Sequence, residues 1–406
     1  MPTLPVAYIK CVVLWFCCVA ALGCSHAASS VSPDTPHRLR VATFNTAMSR
    51  DEPGALRDAM RSGADVQAKR VAEVLQRTRP DIVLLQEVDH DPTGVTYIAF
   101  QQYYLGVSQN GAEPIDYPYR YAPEVNTGVS TGIDLNGDGE VAVPQDAHGW
   151  GNYPGHYGMV VLSKYPIDED AVRTFRELRW RDANPDALDT TGYYSEDARE
   201  SLRLSSKTHA DVPVAVPGMT TLHLLISHPT PPVFDGPEDR NGFRNAAEIA
   251  FWSDYLSNAF MVDSARPRLV DDQGRDAWFD PQCSFVILGD LNADPHDGDS
   301  RSGAMSVLLN RFDILPIAPT SAGGAEAARR DGGANLTHRT DPATDTADWN
   351  DTPGRGSGNL RVDYVLPSTG LKVLGSGVFW PTPDDPLAYL LEASDHRLVW
   401  VDLACE

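Results

Sequence analysis

The sequence predicts an α/β fold, on three observations. Short apolar runs rich in β-branched residues recur at Leu39–Phe44, Ile82–Leu85, Phe285–Leu288 and Arg361–Leu366. Each is too short for a helix and is bounded by polar or turn-forming residues, which is the pattern of strands. Between them, Ala64–Arg77 carries Val66, Val71, Val74 and Leu75 at helical spacing and stops before Pro80, and Asn245–Phe260 reads as a second helix. Polar constellations sit at the ends of the apolar runs: Thr43-Phe44-Asn45, Leu85-Gln86-Glu87, Gly289-Asp290-Leu291-Asn292, Arg361-Val362-Asp363-Tyr364 and Ser394-Asp395-His396.

Taken in order, Leu39–Phe44 alternates and reads as a first strand delivering Asn45, and Ile82–Leu85 as a buried strand ending in Gln86-Glu87. Asp89–Gly155 is a long, tyrosine-rich excursion, of a length that in a compact domain is usually functional. Inside it, Asp134, Asn136, Asp138 and Glu140 alternate oxygen side chains with Gly139 at the sixth position, as at the start of a calcium loop. The twelfth position is Gln145, followed by Asp146, so a structural Ca²⁺ site and an ion-free Asp/Asn/Gly turn both remain open. Ser201–Lys207 and Thr221–Ser227 read as antiparallel strands, the second delivering His228, with His223 structural. The proline-stiffened loop after His228 carries Arg240 and Arg244, whose planar forks suit a phosphate. The alternative is that Asn241 caps the following helix and Arg244 pairs with acidic neighbours.

Asp290 and Asn292, two apart at the end of a buried strand, point the same way and can orient and deprotonate a water; a plain turn is the other reading. No strand holds the run Asp294, His296, Asp297, Asp299, which reads as a solvated loop. Ala318–Gly358 is rich in Gly, Ala and Asp and is expected to be mobile.

The 406 residues suit one large domain, without repeats. Lys and Arg total 33 against 56 Asp and Glu, a net charge of −23, which leaves no general attraction for a nucleic-acid backbone or an anionic membrane. Residues 1–27 read as a signal segment: Lys10 precedes an apolar run to Gly23 too short to span a bilayer. Ala21-Leu22-Gly23-Cys24 is similar to a lipoprotein box, and Ser25-His26-Ala27 offers an ordinary cleavage site instead. Export to the periplasm, the outer surface or the medium is expected, with a linker at 28–37 and a catalytic domain at 38–406.

The five strand-end motifs, in this order, resemble the endonuclease/exonuclease/phosphatase superfamily of metal-dependent phosphoesterases. The resemblance spans Leu39 to Leu403. It implies a four-layered α/β sandwich, two mixed sheets packed face to face with helices outside. Glu87, Asn45 and Asp395 would hold Mg²⁺ or Mn²⁺, although Ala47 stands where some members carry an acidic residue. Asp290 with Asn292 would hold the attacking water, Asp363 would orient His396, and His228 would touch the scissile phosphate. The substrate would be a phosphate ester of a nucleic acid, a phospholipid head group or a small molecule; no protein partner is implied and the chain is expected to be a monomer. A catalytically dead binding module on this fold is the competing class, whereas a serine-nucleophile hydrolase lacks its Gly-x-Ser-x-Gly elbow. Cys283 and Cys405 would both lie at the end of the core remote from the site, where a disulfide and two free buried thiols are the alternatives.

Overall fold

The strands run, in chain order, β1 (His37–Asn45), β2 (Ile82–Gln86), β3 (Tyr119–Tyr121), β4 (Met159–Ser163), β5 (Arg173–Thr174), β6 (His209–Val214), β7 (Leu222–Ser227), β8 (Ser284–Asp290), β9 (Ala347–Asp348), β10 (Asn359–Leu360), β11 (Asp363–Pro367), β12 (Val373–Val378) and β13 (Val399–Cys405). This computed structural model describes residues 1, 37–184, 188, 192–263 and 267–405. The expected signal segment with Cys24, and the linker up to residue 36, lie outside the described residues.

Alternation along each strand builds the layers. Leu39 and Val41 of β1 and Ile82 and Leu84 of β2 face Leu224 and Ile226 of β7 and Val286 and Leu288 of β8 across a shared interior. The intervening residues, Ala42, Phe44, Val83 and Leu85, face the other way, onto Val71, Val74 and Leu75 of the helix Val66–Thr78. Phe285 and Ile287 of β8 turn outward onto Phe251, Trp252 and Tyr255 of the helix Arg240–Leu256. The central parts of β1, β2 and β8 are therefore apolar on both faces. Each fully buried Val, Leu or Ile side chain contributes about 1.5–3 kcal/mol.

Six strands form one sheet in the order β12-β13-β1-β2-β4-β3 and five form the other, β11-β8-β7-β6-β5, while β9 and β10 make a short ribbon. Both large sheets are mixed: β1 runs parallel to β2 and antiparallel to β13, and β8 parallel to β7 and antiparallel to β11. The result is the expected four-layered α/β sandwich of helix, sheet, sheet, helix.

Several elements differ from expectation. The strand expected at Ser201–Lys207 begins at His209 instead. Asp211 and Pro213 disguise β6, and Pro213 is tolerated because β5 pairs no further than Asp211. The helix expected at Asn245 begins at Arg240, after Asp239, so Asn241 lies in its first turn and not at its cap. Ala318–Gly358 holds the helix Ala322–Asp331 and the strand β9. Among the described residues, no helix is long and apolar enough to cross a membrane.

Cys283 and Cys405 are free thiols. Both do lie at the expected end of the core, but in different layers: Cys283 packs with the outer cluster of the second sheet, Cys405 between the sheets.

His209, the first residue of β6, is 1% exposed, with Nε2 donating to the Glu248 carbonyl (2.9 Å) and Nδ1 accepting from the Ser205 hydroxyl (2.6 Å), the pattern of a neutral ring. Burial, the largest influence, pushes its pKa down to about 4 against the raising effect of Glu248. A depressed folded pKa gives stability that is present above the unfolded value of about 6.5 and is lost as pH falls towards 4, a loss of about 3 kcal/mol. Melting curves of wild type and His209→Gln between pH 7 and 4 check this: the variant should lose less stability over that window, and parallel slopes would exclude His209 as the responsible group.

Candidate active site

The strand ends converge because of how the sheets pair. Asn45 closes β1 opposite Gln86, the last residue of β2, and Glu87 follows. Asp290 closes β8 directly opposite Asp363, which opens β11. His228 follows β7, which is parallel to β8, and His396 lies just before β13. Gly289 is required at the approach to Asp290: its φ is +155°, and a Cβ there would overlap the Ser227 carbonyl. Ala47, Glu87, Tyr157 and Asn292 adopt left-handed backbone, at φ +48°, +56°, +54° and +52°. Such sparsely populated conformations gather at functional sites.

The Asp290 carboxylate is the hub. Its Oδ2 accepts from Asn45 Nδ2 at 3.0 Å and lies 3.4 Å from His228 Nε2 and 3.7 Å from His396 Nε2. Its Oδ1 accepts from the Asn292 backbone N–H at 2.8 Å. Asn45 Nδ2 also donates to Glu87 Oε1 at 3.1 Å, so one amide bridges two carboxylates that would otherwise repel. His396 Nδ1 donates to Asp363 Oδ2 at 2.9 Å. The Ser394 hydroxyl donates to the Asn45 carbonyl (2.8 Å) and accepts from the His396 N–H (3.0 Å), tying the loop before β13 to the end of β1.

This network sets the charges. Burial alone would lower the His396 pKa, but the carboxylates of Asp363 and Asp290 outweigh it and raise the ring to about 10. Asp290 is raised by burial, but His396, His228 and Asn45 outweigh that and hold it well below the carboxylate range. Burial brings Asp363 to about 6. Burial and then Lys207 hold His228 low. At neutral pH the site thus contains one imidazolium, one neutral imidazole and ionised Asp290 and Asp363.

Glu87 suits a divalent cation: it is a hard carboxylate, and its Oε2 takes no hydrogen bond from a described residue. The ligand atoms of Asp290, Asp363 and His396 also lie within 4.8 Å of one another. His396, however, is cationic and committed to Asp363 through Nδ1, which leaves these three as a proton-handling group beside the Glu87 position. The other close acidic group, Asp331, Asp348 and Asp351, is held by Arg330, Arg397 and Asn335.

A sequence model of the Endonuclease/Exonuclease/phosphatase family matches residues 42–396. The chain belongs to that family. It is accordingly a metal-dependent phosphoric ester hydrolase. Among solved structures it is similar to an endonuclease/exonuclease/phosphatase from Beutenbergia cavernae (19% identity, covering 91% of this chain and 72% of that one, TM-score 0.46). It is also similar to TDP2 from C. elegans (15% identity, 90% and 75% covered, TM-score 0.41) and to sphingomyelinase C from Streptomyces griseocarneus (16% identity, 90% and 99% covered, TM-score 0.41). No curated protein matches the sequence.

Within this endonuclease/exonuclease/phosphatase chain the structure brings Asn45, Glu87, His228, Asp290, Asn292, Asp363 and His396 together, with Asp395 next to His396 and acting on its ring. Asp395 is exposed and accepts from the Trp349 indole N–H at 3.0 Å. Asn45 faces the carboxylates with its N–H groups, while its oxygen accepts from the Ala47 N–H. Arg240 pairs with Glu238 and lies over the Tyr193 ring. Arg244 is buried and spends its donors on the carbonyls of Leu204, His148 and Arg203. Both arginines were candidates because they stand on a polar stretch of sequence; the early helix start turns Arg244 inward.

The oxygens of Asp134, Asn136 and Asp138 accept from the loop's own amides, those of Gly137, Asp138, Gly139 and Glu140. Buried Asp146 closes the same loop by accepting from Leu135 and Ala142. The bonds to Asp134 and Asp138 are Asx-type bonds within the loop itself. Asp294 and Asp297 likewise accept from backbone amides, of His296 and Arg361 and of Arg339 and Thr340.

Three supporting residues went unrecognised in the sequence. Gln67 donates to the carbonyls of Thr46, Ala47 and Ala393 and so locks both loops that flank Asn45. Asn245 donates to Thr230 and Leu291 on either side of the cleft. Glu248 accepts from Ser206 and Thr230. A helical polar residue facing inward in an otherwise apolar stripe was the available signal for the last two.

Proposed function

We propose that this chain is an exported, monomeric phosphodiesterase of nuclease-like chemistry that uses Mg²⁺ or Mn²⁺. The observation that supports it best is the Asp290 carboxylate, ionised and set between Glu87, His228 and the His396–Asp363 pair. Glu87 would hold the ion, with Asn45 beside it, and the bound ion would supply charge that stabilises the phosphoryl oxygens. Asp290, steadied by the Asn292 N–H, would orient the attacking water for in-line displacement. His396, kept protonated by Asp363, would donate to the phosphoryl group as negative charge builds there. Neutral His228 would keep Asp290 in place through Nε2. Export rests on the 1–27 segment.

The net charge of −23 implies weak, readily reversed binding of duplex DNA, which turnover tolerates. One observation favours a phospholipid head group: Phe234, on the loop leaving His228, is 87% exposed. The test is hydrolysis of supercoiled plasmid, bis-(p-nitrophenyl) phosphate and sphingomyelin vesicles with Mg²⁺, Mn²⁺ or chelator, with His396→Ala as control. Metal-dependent plasmid nicking lost in the variant is the expected result. Cleavage of vesicles but not plasmid would transfer the reading to lipids; inertness towards all three would refute it.

A further inference from the structure

Lys207 is the one buried lysine among the described residues, 7% exposed, and its ammonium makes no hydrogen bond or ion pair with any of them. It stands two residues before β6, whose first residue His209 pairs with Ser227 of β7. That register places it at the sheet end from which His228 and Asp290 emerge. The carboxylates that act on it electrostatically are Glu248, Glu87 and Asp290, and it in turn acts on His228. Its backbone is firmly held: its carbonyl accepts from Asn126 N–H at 3.0 Å. Next to it, Ser206 donates to Glu248 Oε1 through both N–H (2.7 Å) and hydroxyl (3.1 Å), while Glu248 Oε2 accepts from Thr230 N–H at 2.7 Å. Glu248 therefore clamps the two loops that carry Lys207 and His228.

The stem of Lys207 is buried while its ammonium has no partner among the described residues, so an anion reaching the sheet end could complete it. Arg240 and Arg244 already have partners, so Lys207 would join the His396 imidazolium in facing the phosphoryl group. We propose that Lys207 is a catalytic residue that binds a non-bridging oxygen of the scissile phosphoryl group, and that Glu248 is the positioning residue that holds it there. The proposal rests on the phosphodiesterase reading.

The experiment uses wild type, Lys207→Met, Lys207→Arg and Glu248→Gln with saturating Mg²⁺ or Mn²⁺. It measures kcat/KM on bis-(p-nitrophenyl) phosphate, inhibition by inorganic phosphate, and Tm. Lys207→Met should lose about 10²-fold in kcat/KM and weaken phosphate inhibition about tenfold, with Tm little changed, because no hydrogen bond or ion pair of the ammonium is lost. Lys207→Arg should recover part of both losses, and Glu248→Gln should weaken both to a smaller extent. Wild-type kinetics and phosphate inhibition in Lys207→Met would overturn the proposal, as would an activity loss that tracks a fall in Tm with phosphate inhibition unchanged. Should Lys207→Met fail to fold, Lys207→Arg decides through phosphate inhibition: unchanged inhibition with lost turnover overturns it. A wild type inert to every phosphodiester would instead refute the reading beneath.

Discussion

Asp290→Asn is expected to lower kcat on a phosphodiester by roughly 10²–10⁴-fold with little change in KM and an intact fold. The carboxylate is held far below its ordinary pKa by His396, His228 and Asn45 against the effect of burial. Such a carboxylate is a weak proton acceptor, so much of its contribution lies in orientation and charge. Asparagine keeps the shape but cannot satisfy the neighbours. Oδ2 lies within reach of Nε2 of His228 and Nδ2 of Asn45, both donors. An amide nitrogen there would face two N–H groups; flipped, it would face the Asn292 N–H instead. Either way at least one buried donor is left unmet, at about 1–3 kcal/mol each, and the water loses its anionic anchor. Steady-state kinetics on bis-(p-nitrophenyl) phosphate beside a melting curve will check this. A kcat within tenfold of wild type would mean that the water is activated elsewhere.

How much of this was legible in the sequence depended on whether the signal was local. Asn45, Glu87, Asp290 and Asp363 each stand where a short alternating or fully apolar run meets polar residues, and His396 stands just ahead of one. One strand's pattern is enough to place each of them. The layers were legible for the same reason, since Leu39 and Val41 alternate with Ala42 and Phe44. Lys207 was not, because Asp211 and Pro213 hide β6 and shift the apparent strand onto the residues before it. Arg244 was misjudged because a basic residue in a polar stretch looks free until the helix start is known, and that start depends on the Asp239 turn. Partners such as Glu248 and Gln67 act across elements distant in sequence, and no spacing rule reports such a contact. The Asp134 run carries a calcium-like pattern whose oxygens also accept from the loop's own amides, and spacing alone does not separate an ion site from a turn.

Asp363→Ala is expected to destabilise the protein by about 3–5 kcal/mol, roughly 4–7 °C in Tm for a chain of this size, and to lower kcat by about 10²-fold or more. Asp363 is 1% exposed and His396 6% exposed, joined at 2.9 Å, so removing the acid leaves an imidazolium in the core without its main counter-ion. Asp290 lies 3.7 Å from the other ring nitrogen. The ring would swing towards it and take the oxygen that should face the water. His396→Ala removes the cation instead and leaves two buried carboxylates facing each other across the β8–β11 register. Each single change thus strands a charge that the double change removes together with its partner. Asp363→Ala/His396→Ala should therefore melt above Asp363→Ala, with a coupling of about 0.5–3 kcal/mol, and should lose hardly more kcat than either single variant. Melting temperatures and kcat around this cycle decide the matter: losses that simply add would show two residues acting independently, whereas a double variant no worse than the singles would show one unit whose purpose is to present a charged imidazole beside Asp290.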